Sequence, residues 1–273
     1  MTVLLLSAGW FDSDDDGYLL NDPSNNYKLN LNYEKGFIGV LSHKIQFGVN
    51  GTYFDYVAEG GQNVLLPFER FTAEVKIGKS NSFTLLYQPL NIVTEEFLER
   101  DITVDSILFP AGTPVALTYG FSFYRLSWLY DFLKSDDREL AFGLSFQIRN
   151  ANIQFASKDG DLLTVNNNIG PVPILKARGS FPLENKLYFG FEADGFYADG
   201  KYITGSANDF IGAIYDASVR MGGELRKNLD GYINLRFVGG GAVGTDESYD
   251  GQGDGYTKNW LHTVALSIGF VLK

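Results

Sequence analysis

The chain of 273 residues has no cysteine, only two histidines, and no apolar run approaching the roughly 18 residues of a membrane-spanning helix. Without cysteine there is neither a disulfide framework nor thiol chemistry. With His43 and His262 alone, little imidazole is available to serve as the base for a nucleophile. Excess positive charge is also missing: 22 Lys and Arg stand against 33 Asp and Glu, a formal balance of -11. That sign argues against nucleic acid as a partner for the surface as a whole. No stretch carries apolar residues at the 3.6-residue period of an amphipathic helix. The opening MTVLLLSAGW lacks the basic segment and the length of a secretory signal and reads as the start of a mature chain.

What is present is aromatic residues, glycine and alternation. Hydrophobic residues make up 45% and aromatics 15%, with 22 Phe, 16 Tyr and 31 Gly, a composition suited to an all-β protein rich in tight turns. In LAFGLSFQIR (140–149), Leu140, Phe142, Leu144, Phe146 and Ile148 share one parity, while Ala141, Gly143, Ser145, Gln147 and Arg149 share the other. Successive side chains of a strand point to opposite faces, so this is a half-buried strand. The same pattern sets Ile45, Phe47 and Val49 against Lys44 and Gln46, and Phe71, Ala73, Val75 and Ile77 against Arg70, Glu74 and Lys76. It returns at Leu187, Phe189 and Phe191, at Ala213 to Met221, and at Val264, Leu266, Ile268 and Phe270.

Marking the breaks predicts strands near 2–10, 27–40, 43–57, 68–79, 82–97, 114–132, 138–156, 171–182, 186–199, 209–227, 231–243 and 258–272, about twelve in one domain spanning 1–273. Short turns such as KSN (79–81), LKSDDR (133–138), LEN (183–185) and KNLDG (227–231) alternate with long polar loops near 11–26, 58–67, 98–113, 157–170, 200–208 and 244–257. The long loops gather at one end, the short turns and both termini at the other.

The strands are longer than the usual sandwich strand of about 5 to 6 residues and suit a tilted span of roughly 9 to 11 within a bilayer. The polar parity carries full charges, which a dry soluble core could hold only at a steep desolvation cost. Trp128, Tyr130 and Phe132 run into a short turn and Trp260 opens the last strand at the other end, as aromatic girdles do. The apolar parity is therefore expected to face lipid. A secreted sandwich or lipocalin-like barrel is the soluble alternative, which detergent dependence separates.

On this architecture, and on the closing segment WLHTVALSIGFVLK, the chain resembles the bacterial outer-membrane β-barrel proteins, porin-like but of no characterised family. The resemblance covers essentially the whole chain. That class usually ends on an aromatic residue, whereas Val271, Leu272 and Lys273 follow Phe270 here. It implies a closed antiparallel transmembrane barrel in the bacterial outer membrane, with short periplasmic turns and long extracellular loops, and with outer-membrane lipid and lipopolysaccharide as its surroundings.

With the apolar parity outward, the lumen is expected to carry Lys44, Arg70, Lys76, Arg125, Arg149, Lys176, Arg178, Arg220, Arg226 and Arg236 against Glu74, Asp131, Glu192, Asp194, Asp216 and Glu224, about +4. The lining residues singled out are Arg125, Arg149, Lys176, Arg178, Glu192, Arg220 and Arg236. A basic lining favours anions, so the expected function is a passive channel for small solutes, anionic ones foremost. If these charges cancel across strands, for example Lys176 opposite or near Glu192, the barrel is instead a closed scaffold or surface-interaction protein.

Enzymatic activity is not expected, although lipid hydrolysis is the form it would take. His43 falls in a predicted short turn, His262 shares the outward parity of Trp260, and the position two residues on from His262 is Val264, where a phospholipase-like His-x-Ser pattern needs a hydroxyl. No cofactor and no metal are expected. In DSDDDG, Asp12, Asp14, Asp16 and Gly17 match the start of a calcium loop, but the twelfth position is Pro23 where a bidentate Glu belongs. An acidic, solvated loop is the simpler reading; divalent ions bridging it to lipopolysaccharide are the functional one.

Overall fold

The computed structural model describes residues 20–22, 24–199, 210–245 and 253–273. Its elements are β1 (Tyr27–Phe47), β2 (Phe54–Asp55), β3 (Leu65–Ile77), β4 (Asn81–Gln88), β5 (Asn91–Phe97), β6 (Ile102–Val104), β7 (Ile107–Phe109) and β8 (Pro114–Asp131). They continue with β9 (Glu139–Ser157), β10 (Leu163–Pro182), β11 (Leu187–Asp199), β12 (Phe210–Arg226), β13 (Leu229–Thr245) and β14 (Tyr256–Leu272). Every neighbouring pair is antiparallel, and β1 pairs with β14 from Leu31–Leu272 to Phe47–Thr257, so the sheet closes on itself. Closure gives every wall strand two neighbours, which is what a strand surrounded by lipid requires.

Among the described residues the wall is formed by β1, β3, β4 continued by β5, and β8 to β14: ten strands, not twelve. The expected strand 2–10 lies outside the described residues. The expected strands 27–40 and 43–57 are one, because the break between them is a β-bulge: the register against β14 shifts between Val40 and Ser42. A bulge changes the phase of the alternation without ending the ladder. Ile38 and Val40 are buried on one side of it, His43, Ile45 and Phe47 on the other. Ile45 and Phe47 therefore point into the barrel, and Lys44 points outward beside Asp55, at 3.6 Å.

Two loops also move. The expected long loop 157–170 shrinks to 158–162, because Asn166 and Asn167 continue β10 and pair with Ile153 and Asn152. The described part of 11–26 joins the barrel at the short-turn end, where Gly78 N donates to the Asn26 carbonyl at 2.8 Å. Elsewhere the turns fall as expected: between β10 and β11, Asn185 and Lys186 take φ of 59 and 61°, the twist-matched geometry of a tight hairpin.

The outer surface is apolar. Phe142, Phe146 and Ile148 are 50%, 50% and 47% exposed, so the alternation of β9 faces away from the lumen. Tyr33, Phe71, Tyr87 and Tyr124 make successive ring contacts across β1, β3, β4 and β8 at 4.8, 6.3 and 4.7 Å. At the short-turn end Phe132 meets Tyr130 and Phe142; toward the long-loop end Trp260, His262 and Tyr215 stack outside the wall. These are the two girdles of a membrane barrel. The ion pair of Lys35 with Glu69, at 3.3 Å, interrupts the belt.

Candidate functional site

The interior has three parts, and each follows from what its strands point inward. The first is an ionic waist. Asp216 on β12 is fully buried and receives Arg70 from β3 at 2.9 Å, Arg125 from β8 at 2.9 Å and Arg236 from β13 at 2.5 Å. Asp194 on β11 takes Arg125 at 3.2 Å and Lys176 at 2.8 Å. Glu192 takes Arg220 at 3.1 Å, Lys176 at 3.6 Å and Arg236 at 3.8 Å. Arg178 bridges Glu74 and Glu139, and Lys76 reaches Asp131 at 3.0 Å. Glu34 accepts from Asn234 and Ser267 at 2.8 and 2.7 Å. In a low-dielectric interior each such charge needs its partner, and the cross-lumen spokes supply them.

The lining cations Arg70, Lys76, Arg125, Arg149, Lys176, Arg178, Arg220, Arg236 and Lys273 stand against Glu34, Glu74, Asp131, Asp137, Glu139, Glu192, Asp194, Asp216 and Asp230, one for one among the described residues. The surplus of about +4 expected from parity is thus absent. Lys44 is outside; Arg226 and Glu224 are exposed at the short-turn rim, Glu224 in a pair with Lys186. Glu139 and Asp230, at strand starts, and Glu34, within β1, had no place in the expected lining. The cancellation foreseen for Lys176 is present: it lies opposite Asp194 in the register and within reach of Glu192.

The second part is a hydrophobic plug in the long-loop half. Phe54 and Tyr56 from the β1–β3 connection, and Leu98, Ile102, Val104 and Phe109 from the 98–113 loop, pack on the inward residues Ile45, Phe47, Ile92, Val115, Leu117 and Phe155. The loop does fold inward. His43, expected in a solvated turn, is buried inside this plug: its Nδ1 donates to Gln62 Oε1 at 2.7 Å, and its ring lies 4.3 Å from Tyr56 and 4.2 Å from Tyr119. The bulge in β1 is the reason, since it turns the odd residues inward. His262 faces out as expected, hydrogen-bonded to the Tyr215 hydroxyl at 2.8 Å.

The third part is a chamber of about 430 Å³ beside the plug, floored by Arg125 and Gln147 and walled by Tyr119, Phe121 and Phe123 of β8, Arg149 and Ile153 of β9, Asn259 and Leu261 of β14, and the glycines 239–241 of β13. It reaches the long-loop rim at Thr245 and Gly255. A Cβ at Gly241 would overlap the Asn259 carbonyl, and Gly240 has φ +146°, so these positions accept little but glycine. Below the waist a second, polar cavity of about 320 Å³ opens between Asn30, Glu74, Arg178 and Ser180. The chamber's glycines and aromatics were not singled out from the sequence; the run FVGGGAVG was the available signal. Asp12, Asp14 and Asp16 lie outside the described residues.

Thus Arg125, Lys176, Arg178, Glu192, Arg220 and Arg236 all face the lumen, joined in the waist. Arg149 faces the lumen too, but in the chamber.

No family model and no curated protein matches the chain. Among solved structures it is similar to the outer-membrane protease OmpT from Escherichia coli, at 12% identity over 89% of this chain and 96% of that one, with a TM-score of 0.48. It is also similar to the transport unit of the autotransporter AIDA-I from Escherichia coli, at 7% identity over 93% and 92% of the two chains and TM-score 0.39. A Pseudomonas aeruginosa FadL homologue aligns at 9% identity over 90% and 89%, with TM-score 0.36. At such identities the likeness extends to no individual residue. The closed wall and its apolar outer belt are the architecture of a membrane-spanning β-barrel.

Proposed function

We propose that the protein is an outer-membrane barrel closed at rest, which admits small solutes from the long-loop side into its chamber and passes them only if the waist opens. The observation that carries this is the Asp216 network: three guanidinium groups from three walls meet one carboxylate, all four residues at most 4% exposed. Ordered side chains bonded across a lumen leave no free path, and paired charges give little preference for either ion sign. Planar-bilayer recording tests it. The wild type is expected to be silent, and Arg70→Ala, which removes the β3 spoke but leaves Asp216 two arginine partners, to show small discrete openings.

The second reading is a passive channel for small, mainly anionic solutes. It is favoured by cavities on both sides of a waist made only of side chains. Discrete anion-selective openings of the wild type would establish it in place of the first. Outer-membrane lipid and lipopolysaccharide are the partners proposed for the outer belt. No catalytic role is proposed: His43 is spent on packing and a glutamine, and His262 on Tyr215 at the outer surface.

A further inference from the structure

Of the cations lining the lumen, Arg149 differs in one respect. Arg70, Lys76, Arg125, Lys176, Arg178, Arg220 and Arg236 each have a carboxylate within ion-pair distance. Arg149 has none among the described residues; its buried Nε has no hydrogen-bond partner, as is also so for Arg178, Arg220 and Arg236. Its guanidinium lies 5.5 Å from the centre of the Phe121 ring and borders the chamber. Beside it the Gln147 amide nitrogen Nε2 is also buried without a hydrogen-bond partner. A shielded cation and donors left unsatisfied carry a desolvation cost that a bound anion removes.

We infer that the chamber is a binding site for a small amphiphilic monoanion, its carboxylate or sulfonate on Arg149 and Gln147 Nε2, and its flat apolar body against Tyr119, Phe121 and Phe123. One cation without an ion-pair partner among the described residues calls for one negative charge, the aromatic walls call for an apolar body, and about 430 Å³ accommodates a molecule of one or two rings. The glycines 239–241 present backbone alone to the opposite side of the chamber. The inference rests on the proposal that solutes enter from the long-loop side.

The test uses the full chain folded in detergent, titrated by calorimetry with 1-naphthoate and with its uncharged isostere 1-naphthamide. Wild type is expected to bind naphthoate saturably and one to one, and about tenfold or more tighter than naphthamide, the worth of a charged hydrogen bond. Arg149→Met, checked for folding by its heat-modifiable gel mobility, is expected to lose that preference while keeping the weak apolar binding. Equal binding of the two probes to wild type, or no saturable heat with naphthoate, overturns the site; because this comparison needs no variant, it stands even if Arg149→Met fails to fold. An unchanged preference in folded Arg149→Met overturns the assignment of Arg149. Conductance is read separately, so an open wild-type barrel that still prefers naphthoate refutes the closed-at-rest reading alone.

Discussion

The two halves of the lumen are filled by opposite chemistry. Toward the short turns, the wall's own side chains close the barrel with ion pairs spanning it, as Arg70 does in reaching Asp216. Toward the long loops, the connections 48–64 and 98–113 supply apolar side chains such as Phe54 and Phe109 that the wall alone could not. A wall side chain reaches the opposite strand only if it is long, and long side chains with inward-facing heads are mostly charged. Apolar filling has to be brought in by a loop. The waist is therefore built into the barrel's register, while the plug is an attachment whose stability is its own.

The sharpest way to break this contrast is Asp216→Ala, which leaves three buried guanidinium groups without their shared carboxylate. The expected loss is about 3–5 kcal/mol, read from urea unfolding of the folded barrel. A loss under about 1 kcal/mol would mean that the waist charges are solvated, not structural.

Phe109→Ala probes the other half. Removing this fully buried ring is expected to cost the plug about 3–5 kcal/mol, with fast hydrogen exchange over 98–113 and little change in the global unfolding midpoint. A parallel fall in global stability would show that plug and wall unfold as one unit.

The smallest effect concerns Asp105 between β6 and β7, whose carboxyl is raised above its ordinary range mainly by burial. Its charged form is disfavoured in the folded loop, so the loop gains stability as pH falls through that raised value toward the unfolded one, and gains nothing more below it. Asp105→Asn, tolerable at φ 53°, is expected to flatten this dependence, seen as equal loop protection factors at neutral and mildly acidic pH.

Much of the wall was legible in the sequence because a strand's period of two is a local property. The alternation of 140–149 named its lipid face correctly, and the parities of Arg125, Lys176, Arg178, Glu192, Arg220 and Arg236 placed them inside. The errors have one origin. At Leu41 and Ser42 the phase of alternation changes, and sequence alone does not distinguish a bulge from a turn; choosing the turn divided one strand in two, sent Ile45 and Phe47 outward, and put His43 in water. At 166–170, a run of asparagines read as a loop although it lies within the β9–β10 ladder.

By itself, then, the sequence determined which faces of the strands beyond β1 are apolar, that the chain has no helical route across a bilayer, and that Arg125, Lys176, Arg178, Glu192, Arg220 and Arg236 share the inner parity. Only the tertiary structure decided that those charges neutralise one another, that Arg149 stands apart from them, and that two loops descend into the barrel. Parity is fixed between neighbours along the chain, but pairing across a lumen depends on which strands closure brings face to face, and no local pattern encodes that distance.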